Sequence, residues 1–114
     1  MFGIVSAPFD VLAEPARRRI LDLLLERPRL VGDLTDQLGL TQPGTSKHLR
    51  VLRDAGLVRV RRDAQRRWYE LRPDPLVEVD AWLAPYRRLW TERFDALERH
   101  LDDMPDEPDP NQKG

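Results

Sequence analysis

The chain has 114 residues, 34% of them charged and 40% hydrophobic, and no cysteine. That length suits one domain with a modest core, and the lack of thiols excludes disulfides, thiolate metal sites and cysteine nucleophiles. The net charge of −1 hides an asymmetry: residues 1–72 carry 14 basic against nine acidic side chains, and residues 73–114 carry five against 11.

Two readings of the charge stand side by side. Within residues 47–72, nine basic side chains face only Asp54, Asp63 and Glu70. A basic middle suits the phosphates of nucleic acid; a solvated charged face is the other reading. No apolar run approaches the length needed to span a bilayer. Residues 1–10 lack the basic start and apolar core of a signal peptide, so a cytoplasmic protein without membrane contact is expected.

In chain order, Phe9, Val11 and Leu12 suggest a short first helix. Glu14-Pro15 opens a second, because proline is tolerated at the first helical position. Ala16, Ile20, Leu23 and Leu24 recur at helical spacing and predict its buried stripe, with Arg17, Arg18 and Arg19 mostly off it. Pro28 closes that helix.

Val31 to Leu38 reads as a third helix, with Leu34 and Leu38 inward. Gly39 suits the left-handed turn that ends a helix. Thr41 can cap the next, since its hydroxyl accepts a bond from an orphan backbone N–H, and Pro43 is harmless in that first turn. This fourth helix runs to about Ala55. Thr45, His48, Leu49 and Leu52 share one face, and Gly56 stops it. Two short helices joined by a tight glycine turn make a helix-turn-helix.

After Gly56 the period changes. Leu57, Val58 and Val60 alternate with Arg59 and Arg61, as in a half-buried strand. Asp63-Ala64-Gln65 predicts a turn, and Trp68-Tyr69-Glu70-Leu71 a return strand. A helix-turn-helix followed by a basic hairpin is the winged form of the motif. Its second helix fits the major groove, and the hairpin lies beside it near the backbone or minor groove.

Beyond Pro73 and Pro75, Leu76, Val79, Leu83, Tyr86, Trp90, Phe94, Leu97 and Leu101 follow steps of three or four, a helical stripe of about seven turns. Pro85 should break or kink that helix. After Asp102 the chain turns proline-rich, acidic and nearly free of apolar residues, which predicts disorder.

The sequence resembles the bacterial ArsR/SmtB-type regulators. The resemblance is carried by Leu12-Ala13-Glu14-Pro15-Ala16-Arg17-Arg18-Arg19-Ile20-Leu21, Asp33-Leu34, Thr41-Gln42-Pro43-Gly44-Thr45-Ser46-Lys47-His48-Leu49 with Leu52-Arg53, and Ala55-Gly56-Leu57-Val58. With the hairpin it spans residues 9–71. It implies an operator-binding dimer, usually a repressor, with the Thr41–Leu49 stretch in the major groove. Where the family often has glycine in the wing turn, this chain has Ala64.

Two departures concern metal. The family's metal sensors carry Cys-Val-Cys-Asp-Leu on the first motif helix; here the run is Leu30-Val31-Gly32-Asp33-Leu34. A second family site uses Asp-x-His on the last helix; here it is Asp80-Ala81-Trp82. His48 and His100 stand far apart in sequence, so no converging ligand set is expected. The Trp82, Pro85-Tyr86-Arg87-Arg88 and Trp90 pattern resembles the subset of the family without metal sites.

These readings predict a mainly α fold with a small β-hairpin wing and a long C-terminal dimerisation helix. The winged helix-turn-helix domain is expected over residues 1–103, with the helix-turn-helix at about 31–56, the wing at about 57–71, the C-terminal helix at about 75–103 and a disordered acidic tail at 104–114. Double-stranded DNA is the expected partner, met by Gln42, Gly44, Thr45, Ser46, Lys47, His48 and Arg50 of the recognition helix and by Arg62, Arg66 and Arg67 of the wing. Phe9, Trp82, Tyr86, Trp90, Phe94 and Leu97 are the expected homodimer contacts. No cofactor is expected. Catalysis is excluded, since two isolated histidines supply no nucleophile, base and orienter together. A winged helix used for protein contact without DNA is the alternative, since a fold does not fix a function.

Overall fold

Proline and glycine set the element boundaries, as the sequence reading expects. A computed structural model describes residues 8–103. Helix α1 is described at residues 8–12, and α2 (Pro15–Glu26) follows with Pro15 in its first turn. Next come α3 (Val31–Leu38), α4 (Gln42–Asp54), strands β1 (Val58–Asp63) and β2 (Arg66–Leu71), and α5 (Leu76–Asp103). The expected acidic tail at residues 104–114 lies outside the described residues.

The caps explain the stops. Gly39 follows α3 at φ 66°, the left-handed conformation that glycine adopts at little cost. Its N–H donates to the Thr35 carbonyl. Thr41 caps α4: its Oγ1 accepts from the Gly44 N–H at 3.1 Å, which satisfies one orphan donor of the first turn.

The described residues divide into two compact units, one ending at Ala81 and one beginning at Trp82. The core of the first unit joins α1 to β1. Val11, Ile20, Leu21, Leu24, Leu34, Leu38, Leu49, Leu52, Leu57 and Val58 are buried together, with Leu12, Leu23, Tyr69 and Leu76 packed partly against them. Burial of such side chains contributes about 1.5–3 kcal/mol each, so these helices hold through packing more than through propensity.

β1 and β2 form an antiparallel hairpin with Val58 opposite Leu71, Val60 opposite Tyr69, Arg62 opposite Arg67 and Asp63 opposite Arg66. Two residues, Ala64 and Gln65, make the turn. Ala64 sits at φ 56° and is the only described non-glycine residue at positive φ. Because Gln65 does not share that conformation, a type I′ turn is excluded.

The three arginines of α2 are employed more locally than their position off the stripe suggests. Arg17 Nε donates to the Val11 carbonyl at 2.8 Å and Arg18 Nη1 to the Leu12 carbonyl at 2.6 Å. Arg19 Nη2 reaches the Gln37 carbonyl at 3.3 Å. Cations at the carbonyl ends of α1 and α3 satisfy groups that a helix leaves open there.

The second unit is helical from Trp82 to Asp103. Of the break or kink expected at Pro85, the break does not occur: α5 is continuous over 28 residues with Pro85 inside it, a length of about 42 Å. None of its residues is buried. Trp82, Tyr86, Leu89, Trp90, Phe94, Leu97 and Leu101 are all exposed in the single chain, and the Trp82 and Tyr86 rings lie 4.8 Å apart, centroid to centroid.

Candidate nucleic-acid interface

A helix of 13 residues offers one buried arc and one outward arc, and α4 divides its side chains accordingly. Thr45, Leu49 and Leu52 are buried. Gln42, Pro43, Ser46, Lys47, Arg50, Arg53 and Asp54 are exposed. At 100° per residue the exposed set occupies a single continuous arc. Four of the expected DNA-facing residues, Gln42, Ser46, Lys47 and Arg50, therefore share one face. Arg53, which the sequence reading left out, belongs to that face as well. Its spacing of three from Arg50 and seven from Ser46 was the available signal.

Three other expected residues are placed differently. Thr45 is fully buried, and its hydroxyl donates to the Thr41 carbonyl at 3.0 Å. It supports the helix from the core side and offers no group to a groove, so the expectation for its side chain is corrected. His48 is half-buried at the edge of the helix, away from the middle of the outward arc. Its Nδ1 is buried with no hydrogen-bond partner among the described residues. Gly44 is half-buried, and a Cβ there would come within 3.1 Å of Thr41 Oγ1. Its small size has a local reason, the Thr41 cap.

The wing carries its arginines in two states. On one face of the hairpin, Arg59 Nε donates to Glu70 Oε2 at 2.8 Å, and Arg61 Nε donates to Glu70 Oε1. Those bonds, from Arg61 first and then Arg59, hold the Glu70 carboxyl below its ordinary pKa. Nearer the tip, Arg62, Arg66 and Arg67 are exposed and make no ion pair among the described residues. Together with Ala64 and Gln65 they line a concave surface of about 290 Å³ at the turn. The alternation of the strands puts Arg62 and Arg67 on the face opposite Arg59, Arg61 and Glu70, while Arg66, across from Asp63, shares the Glu70 face nearer the tip.

Arg29 was missed altogether by the sequence reading. It lies between α2 and α3 and is 5% exposed. Its Nη1 donates to Asp33 Oδ2 at 2.9 Å, its Nη2 to Glu26 Oε2 at 3.3 Å and its Nε to the Leu23 carbonyl at 3.0 Å. Arg27 adds a looser pair to Asp33 at 3.6 Å. Asp33 is the carboxylate of the Leu30 to Leu34 run, and it is committed to guanidinium groups. Among the described residues, no three His, Asp or Glu side chains gather as a metal centre requires, and no helix is long and apolar enough to cross a membrane.

Comparison with known proteins fits this geometry. Residues 14–60 match the model of the family described as bacterial regulatory protein, arsR family. An uncharacterized HTH-type transcriptional regulator of Mycobacterium tuberculosis, Rv0081, is 44% identical over 80 residues, covering 69% of this chain and 70% of that one. The chain belongs to the ArsR family. It is a DNA-binding winged helix-turn-helix regulator of transcription and not an enzyme. Another relative, the transcriptional repressor SdpR of Bacillus subtilis, is 31% identical over 75 residues, covering 66% of this chain and 83% of that one. The solution structure of Mb0332 from Mycobacterium bovis, described as a homodimeric winged helix-turn-helix DNA-binding domain, superposes with a TM-score of 0.61 at 25% identity. It covers 94% of this chain and 90% of that one.

Proposed function

We propose that this ArsR-family protein is a repressor that binds a palindromic operator as a homodimer, with α4 in the major groove and the arginine-rich wing on the flanking backbone or minor groove. The observation that carries the reading is the division of charge just described. α4 presents Gln42, Ser46, Lys47 and Arg50 on one face, and Arg62, Arg66 and Arg67 of the hairpin make no ion pair among the described residues. Gln bonds adenine in bidentate fashion and Lys or Arg bonds guanine. The wing arginines supply contacts that position the protein without reading bases.

Repression is supported by the similarity to the transcriptional repressor SdpR, and dimerisation by the similarity to the homodimeric domain of Mb0332. A two-fold pair sets half-sites about 10 base pairs apart or at a multiple of that spacing. Within each copy, residues 1–103 make up the DNA-binding domain with its pairing helix, and residues 104–114 serve as an acidic tail. We assign no metal or cofactor to it and place it in the cytoplasm.

The test is capture of genomic fragments by the purified full-length protein, followed by gel shift of the recovered fragment at rising salt. The expected result is one enriched palindrome whose affinity falls steeply with salt, because each phosphate contact releases counterions. Absence of any enriched fragment, or binding indifferent to salt, would overturn the proposal and leave the winged helix as a protein-contact module.

A further inference from the structure

The geometry points to Arg29 as the positioning residue of the wing: a single side chain and its backbone fix the hairpin to both helices that frame the recognition helix. The inference rests on the wing reading proposed above and adds what sets the wing's angle.

A two-stranded hairpin is at best marginal by itself. This one has a third partner. On the side of β2 away from β1, the Arg29 N–H donates to the Tyr69 carbonyl at 3.1 Å and the Tyr69 N–H donates to the Arg29 carbonyl at 2.8 Å. That pair is an isolated antiparallel bridge, so the only strand-like link between the hairpin and the helical body among the described residues runs through Arg29.

The same residue's guanidinium is turned inward. Its Nε satisfies the Leu23 carbonyl near the end of α2 at 3.0 Å, one of the acceptors a helix leaves open at its C-terminus. Its Nη1 meets Asp33 in the first turn of α3 at 2.9 Å, and its Nη2 meets Glu26 in the last turn of α2 at 3.3 Å. Arginine's planar fork makes three differently directed bonds at once, which the point charge of lysine does not reproduce. A guanidinium side chain only 6% exposed would be costly without those partners. With them, the bridge to Tyr69 is held rigidly relative to α2 and α3.

Leverage makes this matter for DNA. The tip residues Asp63 and Arg66 lie three positions from the Tyr69 rung, about 10 Å along the strand. A 10° swing at the base therefore moves the tip by about 1.7 Å. That is enough to take a guanidinium out of hydrogen-bond range of a phosphate. Neither Arg29 nor its partners need touch DNA for such an effect.

The test compares the full-length protein with Arg29→Met, Arg29→Lys and the milder Asp33→Asn, alongside a wing variant with Arg62, Arg66 and Arg67 all changed to alanine. The probe is the operator fragment recovered by capture, and the readout is the slope of log affinity against log salt, measured well below each variant's thermal midpoint. The wing variant should lower the slope by about one unit per lost phosphate contact. Arg29→Met should lower it by a similar amount, and combining the two should lower it no further. Arg29→Lys and Asp33→Asn should fall between wild type and Arg29→Met. The loss from Gln42→Ala should stay the same in the Arg29→Met background, a result that general loosening of the fold would not give.

If the wing variant lowers the slope while Asp33→Asn and Arg29→Lys, both folded, keep the wild-type value, the inference is overturned and the wing reading stands. If the wing variant itself leaves the slope unchanged, both fall together.

Discussion

Arg62 stands directly across the hairpin from Arg67, so one rung near the tip of the wing carries two positive charges and no carboxylate. Like charges on one rung destabilise a hairpin by about 0.2–1 kcal/mol. A phosphate placed beside them turns that repulsion into attraction. Arg62→Gln should therefore raise the stability of the free protein by a few tenths of a kcal/mol and weaken DNA binding at the same time. Thermal unfolding and gel shift of one variant check both signs. A variant less stable than wild type would mean that the pair is not in conflict.

Glu70 makes a second prediction, on acid sensitivity. The bonds from Arg61 and Arg59 keep its folded pKa below the unfolded one. A group of this kind contributes stability that is fully present above its unfolded pKa, about 4.3. That stability is lost as pH falls through the lower folded value. The unfolding midpoint of wild type should thus decline below about pH 4.3 more steeply than that of Glu70→Gln. At neutral pH, Glu70→Gln also frees Arg59 and Arg61, and its affinity for random duplex should rise. Superimposable pH profiles for the two proteins would remove Glu70 from the account.

Ala64 occupies the left-handed region at φ 56°, where a Cβ costs about 1 kcal/mol or a little more. Glycine relieves that strain but loses more chain entropy on folding. Relief of strain is the larger effect at positive φ, so Ala64→Gly should stabilise the hairpin by about 0.5–1 kcal/mol. Urea unfolding with an unchanged slope and a raised midpoint is the expected result. A lowered midpoint would show that the turn relaxes away from positive φ.

The recognition helix supports a fourth prediction, built on its two arcs. Gln42→Ala and Lys47→Ala should each cost about 1–3 kcal/mol at the operator and much less on random duplex. Thr45→Ala should behave in the opposite way. It removes a buried methyl and a hydroxyl bonded to Thr41, so the thermal midpoint should drop while the ratio of operator to random affinity stays at the wild-type value. Equal losses on both duplexes for Gln42→Ala and Lys47→Ala would place those residues on phosphates alone.

Much of this was legible in the sequence because it depends on local chemistry. Gly39, Thr41 and Pro15 mark helix ends through backbone geometry that no distant contact alters. The change of period after Gly56 marks the hairpin for the same reason. Thr45 was expected at DNA as part of the Thr41–Leu49 stretch, although its spacing of four from Leu49 and seven from Leu52 set it on one face with them, the core side. Here the period outweighs the hydroxyl, which finds its acceptor one turn back along its own helix. The helix continues through Pro85, where proline chemistry alone predicted a break or a kink. Arg29 was unreadable for a different reason. Its carboxylate partners lie three residues before it and four after it, but its bridge to Tyr69 spans 40 positions, and nothing local to a Pro-Arg-Leu run announces a strand partner so far away.

The last prediction concerns pairing of two copies. Trp82, Tyr86, Trp90 and Phe94 are 43–68% exposed in the single chain, and Leu89, Leu97 and Leu101 extend the same apolar stripe along α5. Phe9, expected beside them, is half-buried on α1. Aromatic side chains carry about 150–250 Å² each, so the four on α5 leave roughly 400 Å² uncovered per chain. With the leucines, two copies approach the 1,200 Å² or so at which stable interfaces begin. Isolated exposed leucines are ordinary, but a continuous aromatic stripe of this size on a soluble chain marks an interface. The full-length protein should therefore sediment as a dimer at micromolar concentration. Trp90→Lys should shift it to monomer, because a lysine ammonium in the middle of the stripe would be desolvated without a partner. The monomer should keep its weak affinity for a single half-site and lose the gain that comes from holding two half-sites at once, which is commonly a factor of 100 or more. A wild-type monomer that still binds the palindrome tightly would sink the pairing, and so would a Trp90→Lys dimer with full operator affinity.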